Sequence, residues 1–248
     1  MKTVGLIFLV PSLAMAAVRF NERTAWEGAV VHSVQAADYN GDGLLDLIFA
    51  AGGGIQLAMA PDFSAQKIYA TPKPLKGSSY HSAIMDVDDD GDMDFIAENK
   101  GLYWLECPEN PASEPWRMHW ITKAFGGIHC VNIHDVDRDG RKDIVVNNYY
   151  HKGQKKDSPN AHPASILWFS IPENPRDSGA WKPQVLADGD ALGGSHYIGF
   201  ADLDGDGVDE AFHGAKGKPF WWGNYFAYWT RGKNVQDPWK KKKLPGRH

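Results

Sequence analysis

The chain has few cysteines, little excess charge and few long apolar runs, and each shortage excludes a class of protein. Two cysteines, Cys107 and Cys130, cannot form a disulfide framework, although whether these two pair stays open. The net charge of -5 does not favour nucleic acid as a partner. The one dense basic run, 240–243, is predicted to be an edge strand whose lysines prevent edge-to-edge aggregation.

The only apolar run of note is at the start, "MKTVGLIFLVPSLAMA". Lys2 precedes the run, and Ala14 and Ala16 are small residues before a candidate cleavage site. A run of about 12 apolar residues is too short for a bilayer core, which needs roughly 20. We therefore expect a signal peptide over 1–16, a mature domain over 17–248 without a membrane span, and secretion to the extracellular space or the periplasm.

Aromatic residues, glycine and proline are abundant. The chain is 12% aromatic and contains 26 glycines and 15 prolines. Aromatic side chains suit pleated surfaces, and glycine and proline mark tight turns. The composition predicts an all-β protein.

An acidic loop recurs four times, as "DYNGDGLLD" (38–46), "DVDDDGDMD" (86–94), "DVDRDGRKD" (135–143) and "DLDGDGVDE" (202–210). The four starts, at 38, 86, 135 and 202, are 48, 49 and 67 residues apart, and an insertion near 149–165 lengthens the last interval. An apolar stretch precedes each loop, and two β-type runs and, in most copies, a Trp-led third run follow it. Four strands per repeat of this length are typical of a propeller blade.

The motif D-x-[DN]-x-D-G-x-x-[DE] between the first two strands of each unit resembles the FG-GAP/VCBS repeats of integrin-α-like calcium-binding β-propellers. The resemblance extends over almost all of residues 22–245. It implies a single β-propeller domain of four-stranded antiparallel blades, with about four to five blades visible and possible closure as a partial ring only. Residues 23–31 resemble a Trp-led fourth strand that lacks a blade of its own.

Oxygen side chains at loop positions 1, 3, 5 and 9, with glycine at position 6, suit Ca²⁺, which takes six to eight oxygen ligands. An EF-hand would need Glu at position 12, where this chain has Phe49, Ala97, Val146 and His213. We predict up to four structural Ca²⁺ ions. The expected ligands are Asp38, Asn40, Asp42, Asp46, Asp86, Asp88, Asp90, Asp94, Asp135, Asp137, Asp139, Asp143, Asp202, Asp204, Asp206 and Glu210.

A second group of polar residues is predicted at the opposite end of the blades. Six residues before each loop stand His32, Tyr80, His129 and His196, and His81 follows Tyr80. Antiparallel pairing places the start of the first strand away from the loop at its end. The same face is expected to include Lys100, Asn147, His151, His213 and Lys216, and the histidines are candidates for a transition metal.

Two functions stay open. The first is a secreted, non-catalytic module that binds a carbohydrate or an extracellular protein on this face. The alternative is a carbohydrate-active lyase or dehydratase that performs β-elimination, with His129, His196 or Tyr80 as the base. "GGSHYIGFADLDGDGVDE" (193–210) resembles the propeller domains of aldos-2-ulose dehydratase and the rhamnose-glucuronate lyases, although this chain has fewer blades. A hydrolase is disfavoured because the sequence lacks G-x-S-x-G.

Overall fold

The computed structural model describes residues 22, 24–68, 81–124, 127–148, 164–191, 194–217, 220–232 and 237–243. The predicted signal peptide, Tyr80 and His151 lie outside these residues. The described residues form sixteen strands and contain no helix. In particular, they include no helix of the length and apolarity that crossing a membrane requires.

Each sequence repeat forms one four-stranded sheet, and each sheet pairs its strands antiparallel in chain order. This confirms the predicted all-β class and the four-stranded units. The first two sheets comprise β1 (Val34–Ala37), β2 (Asp46–Ala51), β3 (Gly54–Met59), β4 (Ser64–Lys67), β5 (Ser82–Met85), β6 (Asp94–Glu98), β7 (Leu102–Glu106) and β8 (Arg117–Thr122). The other two comprise β9 (Ile128–His134), β10 (Asp143–Asn148), β11 (Ala164–Phe169), β12 (Gln184–Ala191), β13 (Gly194–Ala201), β14 (Glu210–Gly217), β15 (Phe220–Thr230) and β16 (Lys240–Lys243).

The second strand of each inner sheet is apolar on both faces because it lies between two hydrophobic cores. In β6, Phe95 and Ala97 pack in the core shared with the first sheet, whereas Ile96 packs in the core shared with the third. In β10, Ile144 faces the second sheet and Val145 faces the fourth. Successive side chains of a strand point to opposite faces, so a continuous apolar run joins a sheet to both neighbours.

The first strands of the four sheets lie side by side in chain order. β1 contacts β5, β5 contacts β9, and β9 contacts β13. Polar side chains support these contacts: Gln35 donates a hydrogen bond to the carbonyl of Ser82 at 2.7 Å, and Asn132 donates one to the carbonyl of Ile198 at 2.9 Å. The sheets that the described residues form are an open array and not a closed ring.

The expectation of an extra strand over 23–31 is wrong, because residues 24–33 belong to no strand. Instead, the ring of Trp26 packs edge-on against Phe49, with ring centroids 5.8 Å apart. Phe49 faces away from the second sheet, in a small core on the outer side of the first sheet. The segment thus covers part of an end sheet with a single indole and adds no strand to it.

The two cysteines are buried and unpaired with each other. Cys107 follows β7 and Cys130 lies in β9, so they belong to different sheets. Burial raises the pKa of the Cys130 thiol to about 11 and also raises the pKa of Cys107. Both side chains therefore act as small apolar groups of the cores and are poor nucleophiles.

His213 is a core residue of the fourth sheet. Its side chain is fully buried on β14, and its ring centroid is 5.1 Å from that of Trp229. Burial lowers the pKa of His213 to about 4, and the charge of Lys241 acts in the same direction. The imidazole is therefore neutral in the folded protein at neutral pH.

We predict that His213 makes stability fall as the pH drops from about 6.5 to 4. The unfolded chain protonates this residue near pH 6.5, whereas the folded chain resists protonation until about pH 4. The difference between these two pKa values corresponds to about 3 kcal/mol of folding free energy over this pH range. Urea unfolding of His213→Gln should show a correspondingly weaker pH dependence than the original protein, and His32→Gln, at an exposed position, should retain the full dependence.

Candidate functional site

The four acidic loops connect the first and second strands of their sheets, as predicted, and share one backbone geometry. The glycine at position 6 has a positive φ in every loop: 84° at Gly43, 97° at Gly91, 92° at Gly140 and 84° at Gly207. Glycine adopts this conformation at no steric cost. The sharp bend turns the loop backbone around the first aspartate.

That first aspartate organises the loop by accepting hydrogen bonds from it. Asp38 accepts from the amides of Gly41 and Gly43, both at 2.8 Å, and Asp202 accepts from Gly205 at 2.7 Å and Gly207 at 2.9 Å. The hydrogen bonds to Asp202 lower the pKa of this residue, and the bond from Gly207 has the largest effect. Asp202 is thus held as a carboxylate by the backbone of its loop.

Three of the loops bring acidic side chains together closely enough to share one cation. In each, one carboxylate oxygen per residue lies within 4.8 Å of the others. The groups are Asp86, Asp88 and Asp90; Asp135, Asp137 and Asp143; and Asp202, Asp204 and Asp206. In the first loop Asn40 takes position 3, and its amide donates to the carboxylate of Asp42 at 3.0 Å.

The second loop contains a carboxylate oxygen that lacks a partner among the described residues. The side chain of Asp88 has no exposed surface, and its Oδ1 atom accepts no hydrogen bond there. Its other oxygen accepts from Arg176, which also bonds to Glu106 at 2.9 Å. Burial raises the pKa of Asp88 most, and the negative charge of Asp90 raises it further. A cation beside Oδ1 would relieve both effects.

The acidic residue at position 9 has a role that the repeat pattern alone did not predict. Asp94 is fully buried and accepts from the amide of Val87 at 2.9 Å and from the amide of Cys107 at 2.8 Å. Asp46 accepts in the same way from Tyr39 and Ala60. The carboxylate therefore ties the start of the loop to the end of the third strand.

The third and fourth loops contain the first of these two hydrogen bonds. Asp143 accepts a hydrogen bond from the amide of Val136 at 2.7 Å, and Glu210 accepts one from the amide of Leu203 at 2.8 Å.

Burial disfavours the charge of three position-9 groups, Asp94, Asp143 and Glu210. It raises the pKa of Asp94 to about 8 and that of Asp143 to about 6, although hydrogen bonds from the backbone oppose the change. The carboxylates at positions 3 and 5 of the same loop raise the pKa of Asp94 further. A divalent cation among them would favour the ionised forms of all of these groups.

We predict that Asp94→Ala destabilises the fold by about 2–4 kcal/mol, because two buried backbone N–H groups lose their acceptor. Asp94→Asn should lose less, since its amide oxygen still accepts one of the two bonds. Urea unfolding in the presence of a chelator measures the effect apart from metal binding. Asp92→Ala, at an exposed position of the same loop, should change stability by less than about 0.5 kcal/mol. Equal losses in the two alanine variants would contradict the proposed role of Asp94.

Arginines link the second and third loops to the next sheet along the chain. Arg141 of the third loop pairs with Asp89 of the second at 2.9 Å. Arg176, which follows β11, reaches back to Asp88. Arg231, which follows β15, donates to the carbonyls of Val136 and, at 3.2 Å, Asp137. The loop ends of neighbouring sheets are therefore joined by positive charge as well as by the hydrophobic cores.

At the opposite end of the sheets, three rings come together. His81 precedes β5, His129 is the second residue of β9, and Tyr197 is in the first half of β13. The ring of His81 lies 5.2 Å from that of His129 and 6.5 Å from that of Tyr197, centroid to centroid. Each of these strands leads into an acidic loop at its far end, so the rings and the loops lie at opposite ends.

The other residues predicted at this end of the sheets differ in position and in burial. His32 is exposed before β1, and Lys100 is exposed in the turn between β6 and β7. Asn147 is buried within β10, and His213 is buried within the fourth sheet, away from any surface. His196 and Lys216 have described backbone positions on β13 and β14, but their side chains lie outside the described residues.

Sequence reasoning did not select Tyr197, although its side chain is 62% exposed and completes the cluster of rings. The residue follows His196 directly, in "GGSHYIGF". A count of six residues back from each loop selected His196 in this repeat. Register shifts between Ser195 and Tyr197, so a count along a regular strand does not predict which side chain faces its neighbours.

Comparison with known proteins supports the repeat assignment. The FG-GAP repeat family matches residues 30–69, which contain the whole of the first sheet and its acidic loop. The resemblance to FG-GAP repeats is thereby confirmed. No curated protein sequence matches the chain.

Two solved structures are similar at low identity. One is an α-L-arabinofuranosidase from Clostridium thermocellum, with 11% identity and a TM-score of 0.41, covering 84% of this chain and 70% of that one. The other is the V. cholerae biofilm matrix protein Bap1, with 13% identity and a TM-score of 0.44, covering 87% of this chain and 40% of that one.

Proposed function

We propose that this chain, which carries an FG-GAP repeat, is a calcium-stabilised β-propeller module that binds carbohydrate at the end of its sheets opposite the acidic loops. It acts outside the cytoplasm, where calcium sites of moderate affinity are filled. In this proposal the calcium has a structural role and the rings of the opposite end make the contact with the ligand. The division between the two ends of β5, β9 and β13 supports both parts of the proposal.

The buried oxygen Oδ1 of Asp88 is the observation that carries the calcium assignment. It accepts no hydrogen bond from a described residue and lies within a group of three aspartates. A buried carboxylate oxygen without a partner is costly unless a cation or a donor satisfies it. The glycine at position 6 and the all-oxygen donor set fit Ca²⁺ better than a softer metal. Asp86, Asp88 and Asp90 would hold the ion in this loop.

We predict that calcium raises the melting temperature by roughly 5–10 °C at a hundredfold excess over the dissociation constant, since it binds the folded state. Asp88→Asn should reduce the number of tight calcium ions per chain by one in isothermal titration calorimetry. Asp89→Asn is the matched control, because Asp89 is the exposed neighbour and pairs with Arg141. Arg176→Gln removes the ion pair with Asp88 but leaves Asp88 as a calcium ligand. This variant should therefore bind as many tight calcium ions as the original protein.

The exposed ring of Tyr197 supports carbohydrate as the ligand. An aromatic ring with a polar edge, next to two imidazoles, offers a stacking surface for a sugar and hydrogen-bonding groups for its hydroxyls. His81 and His129 are partly buried, so their rings are held in place by the sheets. A rigid surface of this kind loses little conformational entropy on binding.

We predict that Tyr197→Ala weakens binding to the best ligand of a glycan array by about five- to tenfold, the effect of losing one stacked ring. Tyr197→Phe should bind nearly as well as the original protein. Leu203→Ala is the control at the loop end, where the side chain is also exposed. Full binding by Tyr197→Ala, or equal losses in the alanine variants of both ends, would argue against this surface.

The lyase alternative remains distinguishable because the same cluster contains His129, a candidate base. β-Elimination from a polyuronate produces an unsaturated sugar that absorbs ultraviolet light. The module proposal predicts binding without such a product. Formation of the product by the original protein, but not by His129→Ala, would replace the module with the enzyme.

A further inference from the structure

A cavity of about 390 Å³ lies between the third and fourth sheets at the loop end. Its walls come from the third acidic loop, from the fourth acidic loop and from the residues around β15 and β16. It is separate from the ring cluster of the opposite end, since it lies beyond the ends of β9 and β13. Its volume falls within the range of sites that hold small ligands.

Three cations line this cavity: Arg138, Lys142 and Arg231. Arg138 and Lys142 are exposed and form no hydrogen bond or ion pair with another described residue. Arg231 is anchored to the third loop by the carbonyls of Val136 and Asp137, which fixes the direction of its guanidinium. Two exposed cations and one guanidinium with a fixed direction therefore line the same space.

The two carboxylates of the lining are already engaged within the protein. Asp135 accepts from the amides of Asp139 at 3.1 Å and Gly140 at 3.0 Å. Asp209 pairs with His134 at 3.3 Å. The lining keeps these two negative charges, so its three cations leave a small net positive charge, which favours an anionic ligand over a cationic one.

The other walls suit a ring that carries hydroxyl groups. Trp239 lines the cavity, and the guanidinium of Arg231 lies 6.0 Å from the centre of its ring. The imidazole of His134 is held in place by stacking on Phe200, with centroids 4.0 Å apart. An indole supplies a flat apolar surface, and Arg and His supply directional donors.

We propose that this cavity binds the carboxylate of an acidic saccharide, with Arg138 and Lys142 as the residues that recognise the charge. Arg231 positions the carboxylate with its fixed donors, and Trp239 contacts the sugar ring. A polyphosphate is a poorer match, because it carries more negative charge than the three cations of the lining can balance. The site is independent of the ring cluster, so either one can bind when the other does not.

Trigalacturonate and its methyl ester test the proposal, because esterification removes the negative charges and keeps the same chain of sugar rings. Isothermal titration calorimetry should show binding of trigalacturonate and at least about fivefold weaker binding of the neutral ester, as expected for the loss of charge-assisted contacts. Arg138→Gln and Lys142→Gln should each weaken binding of trigalacturonate by about fivefold, and higher salt should weaken it as well.

Arg141→Gln is the matched control. Arg141 carries the same charge in the same loop but does not line the cavity, and it pairs with Asp89 instead. Its substitution should change the affinity by less than about twofold, because a screened charge outside the site contributes little. Equal losses of affinity in Arg138→Gln, Lys142→Gln and Arg141→Gln would indicate a general electrostatic attraction in place of a defined site. That result would overturn the proposal.

Equal binding of acid and ester, or no binding of trigalacturonate, would also overturn the proposal. Loss of binding in Tyr197→Ala with full binding in Arg138→Gln would assign the acid to the opposite end of the sheets. That result would remove this site and leave the proposed function in place.

Discussion

The buried carboxylate at position 9 of each acidic loop is the interaction on which the rest of the architecture depends. In the first two sheets it accepts one amide from the start of the loop and another from the end of the third strand, as Asp46 and Asp94 do. It thereby holds three strands of a sheet at one end. A buried charge is costly, and hydrogen bonds from the backbone offset part of that cost. In the calcium-binding proposal a nearby cation would offset more of the cost, so folding and metal binding would be connected through the same group.

The loops also determine how sheets are joined to one another. Arg141, Arg176 and Arg231 each contact a loop of a neighbouring sheet, while the hydrophobic cores join the sheets along their length. The acidic loops would repel one another without these cations. The same arginines leave Arg138 and Lys142 as charges that are not committed to the scaffold, and these two residues define the proposed acidic-saccharide cavity.

The two ends of the sheets consequently differ in chemistry. The loop end is charged and is organised by backbone donors, and the opposite end presents imidazole and phenol rings from the starts of the first strands. Antiparallel pairing within each sheet enforces this separation, because a strand that ends in a loop begins at the far end. A scaffold of this type can stiffen one end and vary the other without disturbing the cores.

The sequence by itself determined the class, the repeat and the position of every acidic loop. The reason is that a strand needs alternating or continuous apolar residues and a tight bend needs glycine, and both leave local patterns such as "DLDGDGVDE". The tertiary structure alone decided which side chains meet. It placed Tyr197 beside His81, buried His213 against Trp229, and left residues 24–33 without a strand. Packing between distant segments and a shift in strand register produced these outcomes, and neither is visible in the spacing of residues along the chain.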